Sequence, residues 1–483
     1  MRLSVSKLSA PPQLLQALKI TALYSIPALM CLYFPIVSDS DLWWHLRSAE
    51  WILAHHAVPY TDPFSLTVAG KPWADYTWLF DLVIYQLFHR LGLIGIVVYI
   101  TGMVLAITFA LHRLIQRLQP DITTSLPLAL AASFCLWHLF TPRPWLFTIL
   151  LFTLELDILM QARTTGKPRE LLWLPLIFAL WANLHIQFVN GLFLLAFAVI
   201  DAFLGPHWTR TRSLIRPAWV YGIFIACVLA TFANPYGWHI YKVAYDLASQ
   251  PGVFYKVAEL QAMSFRDLAD YGVLFFAVAA GAVVFKTHRF LLFDLILLAF
   301  ALTTSFRSKR DLWVLVIAAS AILAAALPRR DKTHFQTKAY VAPLAAIATG
   351  LVLFIGVVWF HVNNAQLETD RADNMPVRAV EAVKQMGYSG PLFNHYDWGG
   401  YLMWSLREPV TIDGRAALYG DERFFRNIGT WGAAPDWNSD PALTSARLVI
   451  GPARAPLTQV LRLDPRFQLV FEDKLAAVFI RRK

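Results

Sequence analysis

Eleven long apolar runs, separated by short polar loops, occupy most of the chain before residue 361. They lie at 18–37, 77–113, 125–141, 144–162, 171–184, 187–205, 217–233, 271–286, 290–305, 311–327 and 340–360. A helix of ~20 such residues crosses the hydrocarbon core of a bilayer. Hydrophobic residues make up 57% of the chain and charged residues 15%, a composition that favours lipid over water. We therefore predict a membrane all-α protein with about 11–12 transmembrane helices.

Whether the run 77–113 spans the membrane once or as two helices is open, because HRLG at 89–92 can turn the chain back. The positive-inside rule favours one net crossing, since every short basic loop then lies in the cytoplasm. Those loops carry Arg113 and Arg117, then Arg163, Lys167 and Arg169, then Arg210, Arg212 and Arg216, then Lys286 and Arg289, then Arg329, Arg330, Lys332 and Lys338. The net charge of +10 forms no continuous stripe, so we predict no nucleic-acid partner.

With this topology, the segment 38–76 and the chain after residue 361 lie outside the cytoplasm. The N-terminal MRLSVSK precedes the first apolar run without an evident cleavage site, which predicts an uncleaved first helix. One outer turn breaks the rule, because it carries Arg307, Lys309 and Arg310. An anionic ligand would explain these charges, and so would a tolerated local violation.

The composition changes to that of a globular domain from Asp370 onwards. PVRAVEAVKQM predicts a helix, and short apolar runs separated by Gly, Pro and Asp predict strands. The predicted strands lie at 391–394, 409–412, 447–450 and 468–480. We therefore predict a polytopic transmembrane domain at 1–362 and a small extracytoplasmic α/β domain at 370–483.

The first outer segment, SDSDLWWHLRSAEWILAHHAVPYTDPFSLTVAGKPWADYTW, is rich in ionisable residues beside the membrane. Its apolar positions Leu42, Leu46, Ala49 and Leu53 recur at helical spacing, with two Trp residues beside them. This pattern predicts a helix lying in the membrane interface. Its polar face would then look into any central cavity.

Asp39 and Asp41 stand where the first apolar run gives way to this helix. A carboxylate pair just above a bilayer suits a reaction on a sugar or phosphate carried by a lipid. The acceptor hydroxyl needs a base, and the leaving phosphate needs compensation of its charge. We therefore predict that both residues are catalytic. A role for either one as the N-cap of the following helix is the alternative.

Polar residues at the remaining outer turns fall on the same side of the membrane. We predict that they bind substrate, because ionisable groups at this depth are candidates for function and guanidinium groups suit a lipid phosphate. The set is His45, Arg47, Asp62, Arg143, Asn183, His185, Asn234, Tyr236, Glu259, Arg307 and Arg310. Simple placement among lipid headgroups is the alternative.

Six segments carry a resemblance to a known family. They are DSDLWWHLRSAEWILAHHAVPYTDPFSLT, RPWLFT, LWANLH, ANPYGW, NHYDWGGYLMW and VTIDGRAALYGDE. Over nearly its full length the chain resembles bacterial GT-C-like polytopic membrane proteins, described as dolichyl-phosphate-mannose-protein mannosyltransferase-like. The resemblance implies a GT-C-like bundle with a large first outer loop. It also implies a multi-pass protein of the bacterial inner (cytoplasmic) membrane, with its C-terminal domain extracytoplasmic.

The resemblance further implies an activity. GT-C enzymes place an acidic residue in the first outer loop, directly after the first helix, and use polyprenyl-phosphate sugars as donors. Asp39 and Asp41 occupy that place. The resemblance implies inverting transfer of a sugar to an extracytoplasmic acceptor, with one of the two aspartates as general base. Protein mannosyltransferases usually carry an adjacent Asp-Glu pair, whereas this chain has Asp-Ser-Asp, so the identity of the base is open.

Two motifs in the C-terminal domain each follow a strand-like run. NHYDWGGY at 394–401 and DGRAALYGD at 413–421 are therefore expected on loops. We predict that Asp397, Asp413 and Arg415 bind the acceptor or dock the domain onto the outer loops through ion pairs. Buried structural pairing is the alternative.

Two other functions compete with sugar transfer: a polytopic transporter, and a catalytically inactive cell-envelope scaffold. Transporters are often built from inverted repeats, and no repeat stands out in the sequence. We assign no metal and no certain cofactor, although a carboxylate pair could hold a divalent cation with phosphate oxygens. Cys31, Cys135 and Cys227 lie inside apolar runs and receive no chemical role.

Overall fold

The computed structural model describes residues 11–34, 37–208, 213–250, 252, 256–287, 292–328 and 339–482. Seven basic residues used above for the topology lie outside these ranges: Arg210, Arg212, Arg289, Arg329, Arg330, Lys332 and Lys338. Helices and strands are numbered here along the described part of the chain.

Six of the described helices are long and apolar enough to cross a membrane. They are α1 (Pro12–Tyr33), α4 (Leu93–Leu118), α6 (Trp145–Thr165), α8 (Phe188–Trp208), α11 (Leu268–Thr287) and α14 (Val341–Trp359). Shorter helices fill the remaining apolar runs: α5 (Ile122–Cys135), α7 (Leu174–Leu184), α9 (Pro217–Ala230), α12 (Leu292–Arg307) and α13 (Leu312–Ala326). The chain is therefore a membrane protein, as its composition predicts.

Helix α13 lies at the centre of the bundle. Nearly all its side chains are buried, and it packs against α4, α5, α11 and α12. A helix that is apolar on every side suits this position, because none of its faces has to meet water. By contrast, α14 packs mainly on α1 and exposes large side chains such as Phe354 and Trp359, as expected of a helix that faces lipid.

The run 77–113 forms two helices, α3 (Trp78–Leu91) and α4. Gly92 separates them with a φ of 65°, a backbone conformation that Gly adopts readily and other residues rarely adopt. The next glycine brings the helices close together, because a β carbon on Gly95 would overlap the backbone of Leu87. The sequence signal at HRLG therefore marks a real helix boundary.

Helix α2 (Leu42–His55) follows the catalytic candidates, as predicted from its apolar spacing. It is more enclosed than an interfacial helix, since it packs against both α3 and the C-terminal helix α17 (Gly399–Leu406). Trp43 is fully buried and meets the Tyr401 ring edge-on, with 5.0 Å between centroids. A β carbon on Gly400 would crowd Ser40, so the small residue permits this close contact.

The C-terminal part combines helices with a four-stranded sheet. Further helices along the chain are α10 (His239–Ala248), α15 (Asn364–Asn374), α16 (Val377–Met386), α18 (Ala416–Trp431), α19 (Pro441–Ser445) and α20 (Pro456–Leu461). The strands are β1 (Leu392–Asn394), β2 (Leu448–Pro452), β3 (Phe467–Glu472) and β4 (Ala476–Arg481), in the order β1-β2-β4-β3. β1 and β2 are parallel, and the other pairs are antiparallel.

The predicted strand at 409–412 is wrong. This segment instead runs beside the first outer segment, where the Val410 N–H donates to the Phe64 carbonyl at 3.1 Å and the Leu66 N–H donates to the Val410 carbonyl at 2.8 Å. The Asn394 side chain satisfies the neighbouring backbone by accepting from the Thr411 N–H at 2.9 Å. An extended run therefore joins the two parts of the chain and adds no strand to the sheet.

Candidate functional site

A cavity of about 1430 Å³ lies between the helical bundle and the C-terminal part. This volume exceeds that of most small-molecule sites, which hold ~300–1,000 Å³, so it has room for a large amphipathic ligand. The catalytic candidate Asp41 lines the cavity. Four predicted substrate-binding residues of the bundle also line it, namely His45, Arg143, His185 and Glu259. Arg307 and Arg310 line it from the outer turn, and Asp397 and Arg415 line it from the C-terminal part.

Arg143 joins the two catalytic candidates. Its Nε donates to Asp39 Oδ2 at 2.8 Å, and its Nη1 contacts Asp41 Oδ2. The Asp41 N–H donates to Asp39 Oδ1 at 2.9 Å, which fixes the two carboxylates relative to each other. Burial opposes the positive charge, but Asp39 and Glu259 outweigh it and raise the pKa of Arg143. A cation and two carboxylates are thus held together at the edge of the cavity.

The structure does not favour the alternative role of Asp41 as the N-cap of α2. Asp41 occupies the N-cap position of α2, yet its side chain makes no capping hydrogen bond. Its Oδ2 is directed to Arg143, and its Oδ1 lies against Gly414 of the C-terminal part. A β carbon on Gly414 would overlap Asp41 Oδ1. Only glycine therefore leaves room for the carboxylate at this contact.

Arg143 itself is held in place by its local structure. Pro144 follows it and ends the turn that starts α6. The Arg143 guanidinium lies over the Trp145 ring, 5.3 Å from the centroid, and the Tyr99 hydroxyl donates to the Arg143 carbonyl at 3.0 Å. Because guanidinium is planar and stacks on aromatic faces, these contacts set its orientation toward the aspartates.

Of the basic residues in the outer turn that carries Arg307, Lys309 and Arg310, here called the basic turn, only the two arginines line the cavity. Arg310 lines the cavity with its Nη1 3.9 Å from Glu259, and Arg307 lines it as well. Lys309 does not line the cavity, since its Nζ pairs with Asp267 at 2.9 Å. The excess positive charge of this turn is therefore partly compensated within the protein.

Five predicted substrate-binding residues lie outside the cavity lining and have structural partners. Arg47 pairs with Glu50 at 2.6 Å, and Asn183 and Asn234 donate to backbone carbonyls. The Tyr236 hydroxyl accepts from the Asp75 N–H at 2.8 Å. The fifth, Asp62, pairs with Arg415. These five residues therefore support the structure around the cavity and do not line it.

A buried network joins the first outer segment to the C-terminal part. Arg415 Nη1 donates to Asp62 Oδ1 at 2.7 Å, and its Nη2 donates to Asp413 Oδ2 at 2.7 Å. The Tyr419 hydroxyl donates to Asp413 Oδ2 at 2.6 Å and also contacts the Ser65 hydroxyl at 2.7 Å. Asp62, Asp413 and Arg415 are at most 7% exposed. We call this set of five residues the clamp.

The pair of carboxyl groups formed by Asp75 and Asp81 was not predicted from the sequence. Asp75 lines the cavity. Asp81 Oδ1 shares a hydrogen bond of 2.6 Å with His45 Nδ1. Burial, and then the neighbouring Asp81, raise the pKa of Asp75 to about 8. A signal was present, because Asp81 is an isolated carboxyl in the otherwise apolar start of α3.

Replacing Asp75 with Asn should flatten the pH dependence of stability. The folded protein keeps a proton on Asp75 up to about pH 8, whereas the unfolded chain loses it near pH 4. Stability therefore falls as pH rises between these values, by up to ~1.4 kcal/mol per pH unit. Melting temperatures at pH 5, 6.5 and 8 should fall less for Asp75→Asn than for wild type. The exposed Asp373→Asn is the control, and equal slopes in all three proteins contradict the prediction.

No group of three or more His, Cys, Asp or Glu suited to hold a metal occurs in the described ranges. Asp39 and Asp41, the carboxylate pair that the sequence offers for a divalent cation, both contact Arg143. In this arrangement a guanidinium occupies the position that a cation shared by two carboxylates would take.

Solved structures resemble the chain, although no protein-family model and no curated protein sequence matches it. The oligosaccharyltransferase AglB from Archaeoglobus fulgidus, in complex with an inhibitory peptide and a dolichol-phosphate, matches with a TM-score of 0.51 and 11% identity. The match covers 91% of this chain and 69% of that chain, and the apo form gives the same figures. ArnT from Cupriavidus metallidurans, bound to undecaprenyl phosphate, matches with a TM-score of 0.45 and 13% identity over 96% and 97% of the two chains. The predicted GT-C-like fold is thus confirmed, and the chain has the fold of the GT-C membrane glycosyltransferases.

Proposed function

We propose that the chain transfers a sugar from a polyprenyl-phosphate donor to an extracytoplasmic acceptor. The observation that carries the proposal is the Asp41 carboxylate on the wall of a large cavity, in contact with Arg143, in a lining that also includes Arg310 of the basic turn. AglB, which has the same fold, was solved with a dolichol-phosphate. A base and several cations around one cavity are what this reaction requires.

In the proposed reaction, the acceptor hydroxyl oxygen attacks the anomeric carbon of the donor sugar. The bond from that carbon to the phosphate oxygen breaks, and its electron pair leaves with the polyprenyl phosphate. Asp41 Oδ1 takes the hydroxyl proton, since Oδ2 is held by Arg143. Attack from the face opposite the phosphate inverts the anomeric centre. Asp39 keeps Arg143 in place, and Asp41 is therefore the better candidate for the base.

Arg307 and Arg310 are proposed to compensate the charge of the phosphate. Both line the cavity, and guanidinium groups bind phosphate oxygens in a fixed geometry. The C-terminal part contributes His395, Tyr396 and Asp397 to the cavity lining, and we propose that the acceptor binds beside them. We further propose the bacterial inner membrane as location, with the C-terminal part and the cavity on the extracytoplasmic side.

The proposal is tested by incubating the purified protein in nanodiscs with a panel of polyprenyl-phosphate sugars. Native mass spectrometry should detect one bound donor, and release of polyprenyl phosphate should follow when acceptor is present. If no member of the panel binds, and cysteine labelling places residues 38–74 in the cytoplasm, the proposal is wrong. A transporter would bind a solute without releasing polyprenyl phosphate.

Replacing Gly414 with Ala should slow transfer by about 100-fold. The new β carbon overlaps Asp41 Oδ1, and a displacement of ~1 Å in a reacting group costs about this factor. Donor affinity should change little, because the phosphate-binding arginines are untouched. Gly429→Ala is the matched control, since a β carbon there meets only Ala434 at 3.7 Å. Equal rates for both variants would show that Asp41 does not need its position against Gly414.

A further inference from the structure

His45 presents one ring nitrogen to the cavity and buries the other. Its Nδ1 lies 2.6 Å from Asp81 Oδ1, and the ring packs against Trp44 with 3.6 Å between centroids and an interplanar angle of 30°. His45 is 2% exposed and lines the cavity. Its Nε2 has no hydrogen-bond partner among the described residues, so it is the ring nitrogen available to a ligand.

The state of Asp81 decides which nitrogen of His45 carries the proton. Asp75, beside it, accepts from the Ser48 hydroxyl, from the Thr77 N–H at 3.3 Å and from the Thr77 hydroxyl at 3.1 Å. Negative charge is more stable on the carboxyl with more donors. Asp81 is fully buried and its Oδ2 has no hydrogen-bond partner among the described residues, so Asp81 is the member of the pair that keeps its proton longest. Its hydroxyl then donates to His45 Nδ1, which leaves the histidine proton on Nε2.

His185 repeats the same arrangement in the bundle part of the cavity lining. Its Nδ1 lies 2.8 Å from the Thr148 hydroxyl, and that oxygen accepts from the Trp181 indole N–H at 2.9 Å. Thr148 has no other acceptor among the described residues, so its proton points to His185 Nδ1. His185 also lines the cavity, and its Nε2 has no partner in the described part of the chain. It too presents an Nε2–H group.

Both rings stay neutral because of their surroundings. Burial lowers the pKa of His45 to about 3, and the nearby Asp75 and Asp39 only partly oppose this effect. Burial also lowers the pKa of His185 well below its ordinary value, and the charge of Arg310 lowers it further. His45, His185 and Arg310 all line the same cavity. A neutral imidazole with a fixed tautomer is a hydrogen-bond donor of constant strength.

We propose that His45 and His185 are neutral Nε2–H donors that bind phosphate oxygens together with the Arg310 guanidinium. The assignment rests on the proposed function, since it names how that site holds the phosphate of its lipid. A ligand bound by such donors offers acceptors only, as a phosphate does. Asp81 and Thr148 are positioning residues, because they act through the histidine rings.

Replacing each histidine with Gln or Phe tests the donors. Gln places an amide N–H near the Nε2 position, and Phe keeps the ring shape without a donor. With undecaprenyl phosphate as probe, we expect each Phe variant to bind at least ~10-fold more weakly, the effect of one hydrogen bond to a charged group. The Gln variants should stay within about threefold of wild type. His89→Phe, stacked on Tyr85 outside the cavity lining, is the control.

The pH dependence separates neutral donors from charged ones. Between pH 6 and 8 the wild-type affinity for undecaprenyl phosphate should change by less than about threefold, apart from the titration of the phosphate itself. If the affinity for undecaprenyl phosphate rises below pH 6.5 in wild type but not in the Phe variants, the proposal is wrong, because the phosphate is then bound by positively charged histidines. Inorganic phosphate alone is the second probe. If the Phe variants lose affinity for inorganic phosphate as much as for undecaprenyl phosphate, the site recognises any phosphate and not only that of the lipid.

A tautomer measurement is independent of any ligand. In protein labelled with ¹⁵N-histidine, the difference spectrum between wild type and His45→Gln should show a protonated Nε2 and an unprotonated Nδ1. Asp81→Asn should keep this pattern, because its amide still donates to Nδ1, whereas Asp81→Leu should lose it. A protonated Nδ1 in wild type overturns the inference while leaving the proposed function intact. Failure of wild type to bind either probe, with the tautomer as expected, instead removes the proposed function and the phosphate assignment with it.

Discussion

Asp41→Asn is expected to reduce sugar transfer by about 10²–10⁴-fold while leaving the fold intact, because the amide cannot accept a proton from the acceptor hydroxyl. Asn keeps the size of Asp and an oxygen for the contact with Arg143, so the structure should change little. The measurement is the rate of polyprenyl phosphate release at saturating donor. Donor affinity should stay close to that of wild type, since the carboxylate acts on the acceptor.

Asp39→Asn is the matched variant for this prediction. Asp39 pairs with the same Arg143 but does not line the cavity, so its loss should lower the rate less than the loss of Asp41. If Asp39→Asn is the inactive variant and Asp41→Asn is active, the two roles are reversed. Full activity in both removes the general-base mechanism and favours a scaffold.

Arg415→Met should destabilise the protein by about 3–5 kcal/mol, the usual cost of removing one partner from a buried ion pair. Methionine fills part of the volume but leaves Asp62 and Asp413 as buried carboxylates without their cation. The clamp joins the first outer segment to the C-terminal part, so this contact should open first. Thermal unfolding and limited proteolysis at 405–415 measure the effect.

Arg466→Met is the control for the clamp, because Arg466 pairs with Asp464 at 2.7 Å with its side chain 35% exposed. A pair of this kind contributes ~0–1 kcal/mol.

The contribution of the clamp to stability depends on pH in a definite direction. Burial would raise the pKa of Asp413, but Arg415 and Tyr419 outweigh it and hold that pKa below its ordinary value. Without Arg415, the pKa of Asp413 is higher in the variant than in wild type, because burial is less opposed. The advantage of wild type over Arg415→Met is therefore largest at high pH and shrinks as pH falls from the pKa of the variant toward the lower pKa of wild type. Equal stability of both Arg→Met variants contradicts the role of the clamp.

Local sequence signals predicted the helices well. Each apolar run contains a helix, and the apolar spacing from Leu42 to Leu53 lies within α2. Helix 376–386 was also predicted closely, because its pattern is set by residues near in the chain. The strand at 409–412 was mispredicted for the opposite reason, since its partners are Asn394 and the first outer segment. Extended residues show in a sequence, but what they pair with does not.

The candidate site was predicted in composition but not in arrangement. Position after the first helix singled out Asp39 and Asp41, yet nothing local showed that Arg143 would contact both. Asp62 and Arg415 were predicted for different roles and meet in one ion pair across the fold. Such pairings join residues hundreds of positions apart, so only the folded chain reveals them.

The most direct measurement is a cryo-electron microscopy structure of the protein in nanodiscs with undecaprenyl phosphate. We expect the phosphate in the cavity within hydrogen-bond distance of Arg310, with Asp41 still in contact with Arg143 and its free oxygen facing the space above the phosphate. A phosphate bound elsewhere on the bundle, with Asp41 turned away from the cavity, would contradict it.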